Sequence, residues 1–152
     1  MIVFDFLKES VRSGTIAAIA MMPVGLLFRL LGLRVGYYGQ KLGEVLFGSP
    51  SQVVLIAQHF VIGWLSTAPL LLILVFTGTR VSATIVGALY GIAYYVLVNS
   101  IALPLWFGDP MPWQLGFNFI YPSLTIHIIF GASIGFTARK FVKTHSGSTT
   151  NT

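Results

Sequence analysis

Gln52–Phe76 reads QVVLIAQHFVIGWLSTAPLLLILVF, and no residue in it carries a charge. A helix that crosses a bilayer needs roughly 20 mainly apolar residues, and this stretch is long enough. The same pattern recurs on both sides of it. No charge falls between Glu44 and Arg80, between Arg80 and Asp109, or between Asp109 and Arg139. A fourth apolar segment, Gly14 to Leu33, carries only Arg29. The expected fold is therefore an all-α integral membrane four-helix bundle. Its helices are placed at about 13–33, 52–76, 81–107 and 115–141. Residues 1–143 form one transmembrane domain, and 144–152 form a disordered polar tail rich in Ser, Thr, Gly and Asn.

Composition agrees. Charged residues make up 9% of the 152-residue chain, against about 25% in soluble domains. Such a surface has to face lipid. The net charge of +5 does not point to nucleic acid, because the cations flank the apolar segments instead of clustering on one patch. There is no cysteine, which excludes disulfides and thiolate chemistry. The first apolar segment is too long for a signal peptide and reads as an uncleaved helix. Ahead of it, Met1–Val11 suits a short interfacial helix.

Loop charges set the expected orientation. Lys8, Arg12, Arg80, Arg139, Lys140 and Lys143 collect on the side of the termini, with Arg34 and Lys41 opposite and Arg29 near them. That bias puts both termini in the cytoplasm. Trp106, Trp113, Tyr37, Tyr38 and Tyr121 fall at the other boundary, where an aromatic belt belongs.

Each span also carries a polar residue in its outer third, judged by helical rise: Arg29 roughly 6 Å in, His59 roughly 9 Å, and Asn99 and His127 roughly 12 Å. A polar group inside a bilayer is costly and pairs within the bundle. Arg29, His59, Asn99 and His127 are therefore read as a shared packing layer or ligand pocket, to which Gln58 and Tyr94 or Tyr95 could be added. Arg29 could instead snorkel to the surface. Small residues mark close helix approach, in His59-x-x-x-Gly63, Gly87-x-x-x-Gly91 and His127-x-x-x-Gly131-x-x-x-Gly135. The Gly87–Gly91 stripe suits packing inside the monomer, or else a homo-oligomer.

Three function classes follow. The first is a non-enzymatic accessory, structural or small-ligand-binding membrane protein with no cofactor. The second is a haem or metal protein ligated by His59 and His127, since neutral imidazole is a good iron or zinc ligand. The third is a small oligomeric transporter or channel, disfavoured because the expected spans hold no Asp or Glu. No Ser-His-Asp set, phosphate loop or H-E-x-x-H motif occurs.

With Ser13-Gly14, Ala17 and Ala18 in the first helix, His59 and Gly63 in the second, Pro104 closing the third and His127, Gly131 and Gly135 in the fourth, the chain resembles the YagU-like and related four-helix proteins of bacterial inner membranes. The resemblance covers nearly the whole chain. It implies a four-helix inner-membrane architecture and no settled activity.

Overall fold

The computed structural model describes residues 3–78 and 81–146. The described residues are mainly helical with no strand among them, and four helical rods are long and apolar enough to cross a membrane: Val3–Leu30, Gln52–Thr77, Ala83–Phe107 and Phe117–Thr137. The protein is an all-α, multi-pass membrane bundle. Side chains such as Leu30, Val53, Phe76 and Leu89 are exposed along these rods, which suits lipid as the surrounding solvent.

The first rod is α1 (Val3–Leu30). It begins ten residues before the expected boundary, and Met1–Val11 is not a separate interfacial helix from Val3 onward. Nothing between Val3 and Ser13 breaks a helix, so the turns run on. At 28 residues it spans about 42 Å, more than the roughly 30 Å hydrocarbon core. The short α2 (Tyr37–Phe47) follows, in a stretch with no expected element. It is bracketed by Gly36 and Gly48, both at positive φ (76° and 74°), a backbone region that glycine enters without steric cost. Next, α3 (Gln52–Thr77) starts at Ser51, whose Oγ accepts from the Val54 amide.

The third rod has three parts: α4 (Ala83–Tyr94), a π-helical segment Tyr95–Ala102, and α5 (Leu103–Phe107). Pro104 sits just past the π segment. Its ring has no N–H and would press on the Ser100 carbonyl in a regular α-helix, and the wider π turn relieves this. A short α6 (Pro112–Leu115) and a 3-10 turn at Phe117–Phe119 lead to α7 (Tyr121–Thr137). The fourth span expected at 115–141 is thus shorter as a regular helix. Beyond it, α8 (Arg139–Ser146) is a separate amphipathic helix that buries Val142 and contacts α3. The expected disordered tail is helical as far as Ser146; its residues 147–152 lie outside the described residues.

In the bundle α1 packs on α3 and α7, and α7 packs most closely on α4. Lipid tails give no hydrophobic drive for helix association, so contact area and small residues decide it. The α4–α7 seam shows this most clearly. A Cβ on Gly87 would overlap the Gly131 carbonyl, one on Gly91 the His127 carbonyl, and one on Gly135 the Ala83 carbonyl. The two backbones touch along three turns, so the Gly87–Gly91 stripe is spent inside the monomer. Gly63 meets Gly14 and Ala18 of α1 more loosely.

The bundle has two unlike ends. At the end holding both termini, Ser10 Oγ donates to the Trp64 carbonyl (2.8 Å) and Trp64 Nε1 to Thr15 Oγ1 (2.9 Å). Thr137 Oγ1 donates to Ser13 Oγ (3.0 Å), and Arg12 reaches the Thr137 carbonyl (2.8 Å). Glu9 is buried here, bonded by Arg12 and Ser13. Asp5 and Glu9 lie on the same continuous helix as the first expected span, ahead of its expected start at residue 13. Glu9 is tolerated because Arg12, one turn on, pairs with it.

Replacing Gly91 by Val should destabilise the protein by about 3 kcal/mol or more, since overpacking against rigid backbone costs at least the usual 1–3 kcal/mol. Gly39→Ala is the control, because nothing lies within 4 Å of its added Cβ. Thermal unfolding in mild detergent would check both; similar midpoints would refute the seam.

Candidate functional site

Toward the α2 end the rods separate around a cavity of ≈1430 Å³. It is bounded by α1, α3, the π segment and α7, with α2 across its mouth. Three contacts hold α2 there. Lys41 Nζ pairs with both Asp109 oxygens (2.7 and 2.8 Å). Tyr38 stacks on Phe107 with ring centroids 5.9 Å apart. Gln58 Nε2 donates to the Gly39 carbonyl (2.7 Å). The hydrogen bond to Asp109 raises the Lys41 pKa above the ordinary lysine value. Its contribution is present below pH 10.5 and is lost as pH rises through the raised value.

The deepest polar feature is His127. It is buried on α7 between two aromatic rings: Tyr94 stacks on it at 5.7 Å and Tyr95 tilts against it at 5.8 Å. Its Nδ1 lies 2.6 Å from the Ser123 carbonyl and its Nε2 lies 3.0 Å from Asn99 Nδ2. A carbonyl can only accept, so Nδ1 carries the proton. In the neutral ring Nε2 is then the acceptor and the Asn99 amide donates to it.

The π segment makes this grouping. Tyr94 and Asn99 are five residues apart, which on an α-helix leaves them well over a right angle apart. A π turn closes at five residues, so both reach His127. Regular helical spacing gives no hint of this shared face. Pro104 was the nearby signal.

The four expected layer residues do not form one network. Asn99 and His127 are bonded. His59 lines the same cavity but donates Nε2–H to the Ala18 carbonyl (3.3 Å). Arg29 is exposed, and its Nε donates to the Val35 carbonyl (3.3 Å). It sits at the mouth with Arg34, whose guanidinium lies 3.3 Å over the Tyr37 ring. Of the added residues, Gln58, Tyr94 and Tyr95 all line the cavity. Gln58 Oε1 and the Tyr95 hydroxyl are buried without a hydrogen-bond partner, which costs free energy unless water or a ligand meets them.

His127 has both ring nitrogens bonded: Nδ1–H donates to Ser123, as the second nitrogen of a metal-bound histidine usually does, and Nε2 accepts from Asn99. Iron ligation would have to break the Asn99 bond and leave its amide unpaired. Among the described residues no three His, Asp or Glu side chains gather as a metal site.

No family model, curated protein or solved structure matches this chain. The cavity and the helices around it are therefore the ground for any functional reading.

A double-mutant cycle on Asn99→Ala and His127→Ala should give a coupling of about 0.6–1.5 kcal/mol, the range for hydrogen bonds between membrane helices and in proteins generally. Asn99→Ala with His59→Ala should give none. Equal couplings would mean the bonded pair is not distinct. Separately, Asp109→Asn should speed amide exchange across residues 37–47 at neutral pH. Unchanged exchange there would show that the ion pair does not hold α2.

Proposed function

We propose that this protein is a non-enzymatic, multi-pass protein of a bacterial inner membrane, with both termini in the cytoplasm and a ligand-binding cavity open toward the opposite face. The orientation rests on Lys8, Arg12, Arg139, Lys140 and Lys143 at the terminal end and on Trp106 and Trp113, exposed at the other; cytoplasmic loops carry an excess of Lys and Arg.

One observation carries the binding role. The cavity of ≈1430 Å³ exceeds the roughly 300–1,000 Å³ of most small-molecule sites, and polar side chains including Asn99, His59 and His127 line it. A protein that used His127 and Asn99 only to fasten helices would close over them, as the terminal end does over Glu9 and Ser13. Here Asn99 keeps some exposed surface on the cavity beside its bonded histidine. The site holds no nucleophile–base pair, which favours binding over catalysis.

The absence of cysteine makes single-cysteine labelling clean. Ile62→Cys and Val98→Cys, both in the cavity wall, should react with a membrane-impermeant thiol reagent on intact cells. Leu89→Cys, exposed on the lipid side, should react about tenfold more slowly, because thiolate formation needs water. Equal, slow labelling at all three would refute a water-accessible cavity, and labelling only of inverted vesicles would reverse the orientation.

A further inference from the structure

Away from the cavity, at the end that holds both termini, the outer surface of α7 has a dent. Ala132 and Ser133 are small, Phe136 beyond them is large and 61% exposed, and Ile16 of α1 stands 40% exposed beside them. The result is a shallow groove of ≈360 Å³ between α1, α4 and α7, lined by Ile16, Thr84, Ala132, Ser133, Phe136 and Thr137. Its lining is almost wholly apolar. The Thr137 hydroxyl turns away from it, toward Ser13 Oγ and the Ser133 carbonyl. The groove lies in the apolar rod Phe117–Thr137 and reaches that rod's last residue. An occupant there meets hydrocarbon along the groove and the head-group region at its end.

Two guanidiniums are fastened to that end. Arg139 opens α8 two residues past the groove. Its Nε donates to the Phe136 carbonyl (3.1 Å), and its guanidinium lies 3.9 Å over the Phe136 ring. Arg12 comes from α1 and donates to the Thr137 carbonyl (2.8 Å). Phe136 and Thr137 are consecutive and both line the groove, so the two arginines meet at one place. Their charges differ in standing. Glu9 neutralises Arg12 (2.6 Å). Among the described residues the two salt bridges are Glu9–Arg12 and Lys41–Asp109, so Arg139 has no carboxylate partner there. Neither have Lys140 and Lys143, both exposed on α8. By helical geometry these three cations fall within an arc of roughly 100°, turned away from Phe141 and Val142, which pack on the bundle. The Arg139 Nη donors are not spent on any described residue.

We propose that this groove seats an acyl chain of one acidic phospholipid from the surrounding leaflet, with the lipid phosphate on Arg139. An apolar groove in a membrane span that ends at an unpaired guanidinium matches a molecule that is apolar along its length and anionic at its end. The groove alone would take any chain; the cations select the head group. A zwitterionic lipid brings its own positive charge to a place already carrying Arg139, Lys140 and Lys143, whereas an acidic one is attracted by each of them. The guanidinium also offers a planar pair of donors to two phosphate oxygens at once. The site stands whether or not the cavity at the opposite end binds anything.

The test is the thermal unfolding midpoint of the full chain in mild detergent, titrated with three probes: dioctanoyl phosphatidylglycerol, dioctanoyl phosphatidylcholine and glycerol phosphate. A ligand that binds only the folded state raises the midpoint saturably. Phosphatidylglycerol should do so at lower concentration than phosphatidylcholine, and glycerol phosphate, which has the phosphate and no chain, should not do so over the same range. Arg139→Gln should raise the half-saturating concentration of phosphatidylglycerol about fivefold, the value of one interfacial cation. Ser133→Trp keeps every charge and fills the groove, and should raise it severalfold as well. Should Ser133→Trp fold poorly, Ile16→Trp fills the same groove from an exposed position on α1. Equal stabilisation by phosphatidylcholine or by glycerol phosphate overturns the proposal, as does an unchanged titration in Arg139→Gln. A diffuse attraction of lipid to the basic end would weaken in Arg139→Gln and survive a filled groove, and that result overturns the site too.

Discussion

The backbone contact between α4 and α7 sets the shape of the rest. Ala83, Gly87 and Gly91 on one helix meet Gly131 and Gly135 on the other so closely that no Cβ fits at any of the four glycines. The stripe then stops. One turn past Gly91 come Tyr94 and Tyr95, two of the largest side chains in the seam, and the helices must part to hold them. The cavity begins where the glycines end. Its floor is built there, with Tyr90 donating to the Ser66 carbonyl (2.7 Å) and Ser66 to the Tyr94 hydroxyl (2.9 Å). Close packing at one level therefore produces open space at the next.

The two ends of the bundle treat polar groups in opposite ways. At the terminal end Glu9, Ser13 and Thr137 bond one another and draw α1 and α7 together, while Ser10, Thr15 and Trp64 tie α1 to α3. Around the cavity the polar groups are partly satisfied and partly not. His127 has both nitrogens occupied, while Gln58 and Tyr95 each keep a buried atom without a partner. Natural membrane proteins tolerate such atoms where irregular or polar surface lines a cavity. The π segment belongs to the same economy of design: one widened turn turns Asn99 toward His127 at the cost of some helix regularity.

Much of the architecture could be read from the positions of charges. The gaps between Glu44, Arg80, Asp109 and Arg139 delimit three rods because a charge in lipid is costly whatever the neighbouring sequence. The first rod was harder to delimit. Asp5, Lys8, Glu9 and Arg12 look like solvent-facing residues until Arg12 is seen to pair with Glu9, and pairing is a three-dimensional fact. The depth of Asn99 and His127 follows from helical rise and matches their bonding. Their rotation does not, because it depends on a π turn that no spacing rule anticipates. Arg29 shows the converse: its depth near a helix end is compatible with several directions, and a loop carbonyl decided among them. The helix α2 escaped notice because its glycines and charges read as loop, although those glycines are what let a short helix turn in and out.

The bundle is sealed at one end and hollow at the other, and that asymmetry has an electrical consequence. An electrolyte-filled vestibule carries the potential of the bulk solution down to its floor. The membrane voltage then falls across the remaining septum instead of the full bilayer, so the field there is steeper. Moving one charge through 100 mV is worth about 2.3 kcal/mol wherever the drop occurs. The sealed end of the bundle holds the buried Glu9, its hydroxyl partner Ser13 and the half-exposed Arg12 that pairs with it. Were the cavity to fill with water as proposed, a membrane voltage would fall mainly across the few helical turns at the opposite end.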